Sequence, residues 1–145
     1  MGTKGTIHFK DGRTTLLSIR SQFDSYPYAL GSYIKDFTSN GRGVVVSALE
    51  VGKDSPEYFL GMGDVAAYVL SQLCAVQKRV TGFSIGSIFV TTKADRQEFN
   101  YFITASESGQ LMLRVLDSAE AVLYDGPLED FEPEAVQSSL DGGAA

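Results

Sequence analysis

From residue 87 onward the chain reads as short strand-forming runs joined by turn-prone linkers, a pattern that commits half of a small protein to β-structure. Ser87 to Thr92, Gln97 to Ala105, Gln110 to Leu116 and Ala121 to Tyr124 are the four runs. The connectors Lys93-Ala94-Asp95-Arg96, Glu107-Ser108-Gly109 and Asp117-Ser118 are short and polar, as tight turns require. An antiparallel four-stranded meander is the expected result. Phe99, Tyr101 and Ile103 line one side of the second run, and Leu111, Leu113 and Val115 one side of the third. Residues i, i+2 and i+4 of a strand share a face, so these six form an apolar surface that needs a cover.

Two stretches supply that cover. Pro27 suits a first helical turn, and Leu30, Tyr33, Ile34 and Phe37 follow at helical spacing, with Asn40-Gly41 as a stop signal. The spacing predicts a helix over 27–39. Val65, Ala66, Val69, Leu70, Leu73 and Cys74 mark a second helix ending near Lys78, with Cys74 on its buried side. Ahead of both lies a predicted β-hairpin, Thr6 to Lys10 and Thr14 to Arg20, turned at Asp11-Gly12. Val44 to Leu49 reads as a short strand and Ser55-Pro56-Glu57 as the start of one helical turn. The expected fold is α+β, an antiparallel sheet made of an N-terminal hairpin and a C-terminal meander, covered by two α-helices. Residues 1–126 form the domain, and 127–145 an acidic, partly mobile tail with one helical turn near Glu134 to Gln137.

Charge is unevenly placed along the chain. The chain has 12 Lys and Arg against 18 Asp and Glu, net −6, yet residues 117–145 carry eight of the acids and no base. The rest is slightly positive. Duplex nucleic acid is therefore not an expected partner, since that contact rests on a basic footprint. No apolar run approaches the ~18 residues of a membrane span, and the start, with His8 and Lys10 close behind it, lacks an apolar signal core. A cytoplasmic location is expected.

Catalytic material is sparse. His8 is the only histidine and lies in an alternating strand, where an exposed cross-strand position is expected; Cys74 is the only cysteine. No Cys/His cluster or EF-hand spacing suggests a metal, and no cofactor is expected. Two loops carry more information. Arg20, Gln22, Asp24 and Tyr26 place a cation, an amide, a carboxylate and a phenol between a strand end and a helix start, a mixture suited to a polar small molecule or to a braced loop with Arg20 paired to Asp24. Gly61-Met62-Gly63-Asp64-Val65-Ala66 fits G-x-G-x-x-A at a helix start, where backbone N–H groups can meet an anion, or where Asp64 can serve as N-cap. No strong parallel strand leads into it and no acid follows some 20 positions on, which argues against a dinucleotide fold.

Taken in order, Met1-Gly2-Thr3-Lys4-Gly5-Thr6-Ile7-His8-Phe9, Gln22-Phe23-Asp24-Ser25-Tyr26-Pro27 and Leu60-Gly61-Met62-Gly63-Asp64-Val65-Ala66-Ala67 resemble a family of small uncharacterised bacterial and bacteriophage proteins. Its members look similar in a Met-Gly-Thr-Arg-Ser start, a Gln-Phe/Tyr-Asp-Gly-Tyr-Pro loop and a Gly-Met-Gly turn. The resemblance implies a phage or bacterial setting and no particular activity. The expectation that follows is noncatalytic binding of a small polar or anionic molecule, a nucleotide included, as in sequestering a host defence signal. Its site would be Arg20, Gln22, Asp24, Tyr26, Gly61, Gly63 and Asp64, with both loops at one end of the sheet. The alternative is a phage structural or protein-interaction component, an assembly factor or inhibitor of a host protein, using a sheet edge or the acidic tail. Asp24 and Asp64, if adjacent, would allow acid and base chemistry, so an enzyme stands third. A homodimer or higher oligomer is compatible with all three.

Overall fold

The computed structural model describes residues 3–22, 25–38, 44, 59–81, 88–92 and 97–143. Strands β1 (Gly5–Asp11) and β2 (Thr14–Ser21) form the expected hairpin. Asp11 pairs with Thr14, leaving a two-residue turn that begins at Gly12 with φ 61°, a conformation only glycine adopts without strain. A π-helical turn, Pro27–Gly31, leads into α1 (Ser32–Thr38), and α2 spans Met62–Thr81. Then come β3 (Ile88–Val90), β4 (Phe99–Ala105), β5 (Leu111–Asp117), β6 (Val122–Pro127), a 3-10 turn at Leu128–Asp130 and α3 (Pro133–Gly143).

The class is α+β as expected, but the strands join into one mixed sheet. Its order is β3-β2-β1-β4-β5-β6. β1 lies parallel to β4, with Ile7 opposite Tyr101, while every other neighbouring pair is antiparallel. The meander therefore has three strands rather than four: β3, expected beside β4, pairs with β2 and closes the opposite edge. The expected strand at Val44 to Leu49 is described only at Val44, which bridges Phe59. The expected turn at Ser55-Pro56-Glu57 lies outside the described residues.

One sheet face is apolar because strand alternation collects Ile7, Phe9, Ile19, Tyr101, Ile103, Leu113 and Val115 on it, all at most 1% exposed. Leu30 and Ile34 from the first helical segment and Val65, Val69 and Leu73 from α2 pack on that face. Tyr33, expected in the stripe, is instead 38% exposed, and Cys74 is half-buried at the core margin. The π turn brings Gly31 against the Phe131 ring, where an added Cβ would lie 3.0 Å from a ring carbon.

The acidic C-terminal segment corrects the expected tail. It holds an eleven-residue helix rather than one turn, and it is anchored: Leu128 and Phe131 are in the core, and the Lys35 ammonium donates to the Phe131 carbonyl. Pro133 at the first helical position and Glu134 in the first turn suit a helix start. Glu129, Asp130, Glu132 and Glu134 lie exposed on this packed segment. No helix among the described residues is long and apolar enough to cross a membrane.

Candidate functional site

The two loops singled out in the sequence do not meet. The first is fixed at the end of the sheet where β1 and β4 begin: Ser25 N donates to the Thr3 carbonyl at 3.2 Å and the Tyr101 hydroxyl donates to the Ser25 carbonyl at 2.6 Å. Tyr26 packs there, its ring 6.0 Å from that of Phe99, the first residue of β4. The second loop is fixed at the other end. Phe59, three residues before α2, bridges Val44, whose N–H donates to Gly109 at 2.7 Å in the β4–β5 turn. Seven residues of β4 separate the two ends, about 20 Å at the usual strand rise. Gly61, Gly63 and Asp64 therefore form no joint site with Arg20, Gln22 and Tyr26. Asp24 lies outside the described residues, so neither its pairing with Arg20 nor an acid pair with Asp64 is described.

The start of α2 also carries its own carboxylate. Val65 N donates to Gly61 O at 3.2 Å, and the Asp64 carboxylate accepts from Leu60 N at 3.0 Å. Asp64 is thus a first-turn residue reaching back, not the N-cap itself, and its negative charge at the helix start disfavours an anion there. A Cβ on Gly63 would meet nothing within 4 Å, so no close approach there demands glycine.

Within the first loop the residues divide between faces. Ile19 is on the helix-covered face, so Arg20, the next residue of β2, is on the reverse face. Tyr26 packs on the helix-covered side, and Gln22 is half-buried just beyond β2.

On the reverse face, Arg20 is the informative group. Its strand neighbours are Thr6 on β1 and Phe89 on β3, and its guanidinium carbon sits 5.9 Å from the Phe89 ring centroid, within cation–π range. Yet Nε and Nη2 of Arg20 are buried and have no hydrogen-bond partner. Beside it Thr6 is fully buried, and its Oγ1 likewise has none. Burying such donors unpaired costs about 1–3 kcal/mol each, more where charge is involved. These two neighbours make the least satisfied polar spot among the described residues.

The surrounding groups are spent. Asn100, opposite Thr6 on β4, donates through Nδ2 to Gln97 O at 3.0 Å and accepts from Gln97 N at 3.2 Å. His8 shares a 2.7 Å hydrogen bond between Nδ1 and Ser18 Oγ, and its ring stacks on Phe102 at 4.8 Å. At 8% exposed, His8 corrects the expectation of an exposed residue; it is cross-strand but buried, because Phe102 and Ser18 flank it on both neighbouring strands. Burial first, then the positive charges of Lys10 and Arg20, lowers its pKa below the ordinary 6.5, so the ring is neutral at pH 7. The Ser18–His8 pair resembles half of a nucleophilic dyad, but both residues are mid-strand, where backbone N–H groups belong to the ladder and cannot form an oxyanion hole.

A groove of about 510 Å³ lies elsewhere, between α1 and the start of α3, lined by Ser32, Lys35, Asp36, Glu132, Pro133 and Glu134. The one cation among its described lining residues, Lys35, is engaged by Phe131 O, and three carboxylates make it a poor anion site. Among the described residues no group of three His, Cys, Asp or Glu is placed to hold a metal ion. Thr6 and Phe89 went unnoticed in the sequence. Alternation sets Thr6 opposite the face of Ile7, but its adjacency to Arg20 depends on strand register, and that of Phe89 on a long-range pairing.

Comparison of the chain with protein-family models, curated proteins and solved structures finds no match.

Proposed function

We propose that the protein binds a small anionic molecule without transforming it, anchored by Arg20 on the reverse face of the sheet. One observation carries this reading: the Nε and Nη2 donors of Arg20 are buried and unspent. An acceptor supplied by a ligand would relieve that cost and gain a charge-assisted bond. Thr6 adds a hydroxyl from the adjacent strand, and Phe89 restrains the guanidinium from beneath. The sequence resemblance supports a bacterial or phage setting, in which a binder without turnover sequesters a small host signal.

Calorimetric titration at low salt with AMP, GTP, citrate and inorganic phosphate tests the proposal. At least one should bind, with a tenfold or greater loss in Arg20→Ala and no rescue in Arg20→Lys, whose point charge lacks the planar fork. Absence of heat with every probe, or equal binding by Arg20→Ala, overturns it.

A second reading, protein interaction through a sheet edge, is favoured by the exposed apolar residues at both ends of the strand order. Val90 on β3 is 52% exposed and Val122 on β6 is 51% exposed. Edge strands offer unpaired backbone groups to another chain. Light scattering after size exclusion should then give a mass above 15.7 kDa that returns to the monomer value in Val90→Lys or Val122→Lys.

A further inference from the structure

We infer that the group Arg20 accepts is singly charged and presents two coplanar oxygens, a carboxylate or a phosphodiester, in preference to a phosphomonoester dianion. The inference rests on the binding reading above and narrows its ligand. Nε and Nη2 form one edge of the guanidinium, and it is this edge that is buried without acceptors. Two parallel N–H bonds from such an edge fit two oxygens of one anionic group, the side-on geometry of Arg with carboxylates and phosphates.

Charge balance selects between them. Among the described residues, Arg20 is the one cation at this point of the reverse face, with no ion pair to an acid. His8 is hydrogen-bonded to Ser18 and neutral at pH 7. Lys10 is four residues along β1 from Thr6, about 13 Å at the strand rise. Arg114 lies three strands from β2, about 14 Å at the usual spacing, and faces Asp125 at 3.9 Å. Lys4 and Glu98 ahead of the strands are exposed and of opposite sign. A monoanion therefore balances Arg20, whereas a dianion leaves one negative charge without a described partner, which costs free energy beside the buried Thr6 and Asn100. Thr6 Oγ1 can donate to one of the same oxygens, since its hydroxyl hydrogen rotates freely.

Two matched pairs of probes test this at pH 7.5 by calorimetry: benzoate against phenyl phosphate, and 3′,5′-cyclic AMP against AMP. The monoanion of at least one pair should bind tenfold or more tightly than its dianion partner. That advantage should vanish in Arg20→Ala and shrink several-fold in Thr6→Val, each variant first shown by its melting curve to be folded. A preference confined to benzoate identifies a carboxylate ligand, and one confined to cyclic AMP a phosphodiester. Dianions bound as tightly as monoanions, with binding still lost in Arg20→Ala, would overturn the inference and leave the Arg20 site standing. No binding by any probe would remove both.

Discussion

His8 shows how little a residue's type says about its state. It is the chain's only histidine, and an alternating strand is compatible with either exposure or burial. The decision came from its neighbours, Ser18 on one side and Phe102 on the other, which leave its imidazole desolvated beside two cations. A lowered pKa in the folded state means the unfolded chain takes up the proton first as pH falls. Stability contributed by neutral His8 is fully present above 6.5 and is lost as pH drops from there through the folded value, at up to ~1.4 kcal/mol per pH unit. Two measurements check this. NMR titration of the single histidine should give a midpoint below 6.5, and urea denaturation of His8→Gln between pH 7 and 5 should show a flatter pH dependence than the parent. A midpoint at or above 6.5 would contradict the burial seen here. Arg20 makes the same point from the other direction. Its candidacy for a ligand was legible from its type and place, but the face it occupies and the company of Thr6 and Phe89 were not.

Among the elements, the C-terminal segment departs furthest from its sequence. Acids and a terminal Gly-Gly read as a solvated tail, and Glu129, Asp130, Glu132 and Glu134 do lie outside the core. What binds the segment is a pair of apolar residues, Leu128 and Phe131, at 2% and 0% exposure, seated against Gly31 and the core. Two buried apolar side chains among five acids are easy to pass over, yet a buried phenylalanine outweighs several solvated charges in free energy. Phe131→Ala should cost about 3–5 kcal/mol in urea denaturation, as large core truncations do. A loss below ~1 kcal/mol would mean that the segment is not integral to the fold. Helix α2, by contrast, was legible. Val65, Val69 and Leu73 at three- and four-residue spacing are buried as their period requires, because one face of an isolated amphipathic helix has no stable place except against a core.

Across the whole molecule, β1 and β4 are central neighbours although some ninety residues separate them in the chain. The core cluster runs from Ile7 to Phe131 without a break between early and late elements. A fold closed in this way should unfold as one unit. Far-UV circular dichroism and tyrosine fluorescence should therefore give coincident urea transitions; two separated transitions would show that the hairpin or the C-terminal helix melts independently. The same closure sets where the candidate residues lie. Placing β1 between β2 and β4 sends the Tyr26 loop and the α2 start to opposite ends of the sheet, and leaves Arg20 on the face away from both.

By itself the sequence determined the α+β class, the presence of helical segments after Pro27 and around Val65 to Cys74, and the inward faces of β4 and β5, because these follow from spacing alone: Leu111, Leu113 and Val115 must share a side whatever their partner. Which strands pair was decided only in three dimensions. Ladder hydrogen bonds join backbone groups that every residue has, so nothing in Ile88 to Val90 names β2 as its neighbour, nor in β1 its parallel partner β4. The pairing of Thr6 with Arg20, and with it the unspent edge of the guanidinium, exists only once that register is set.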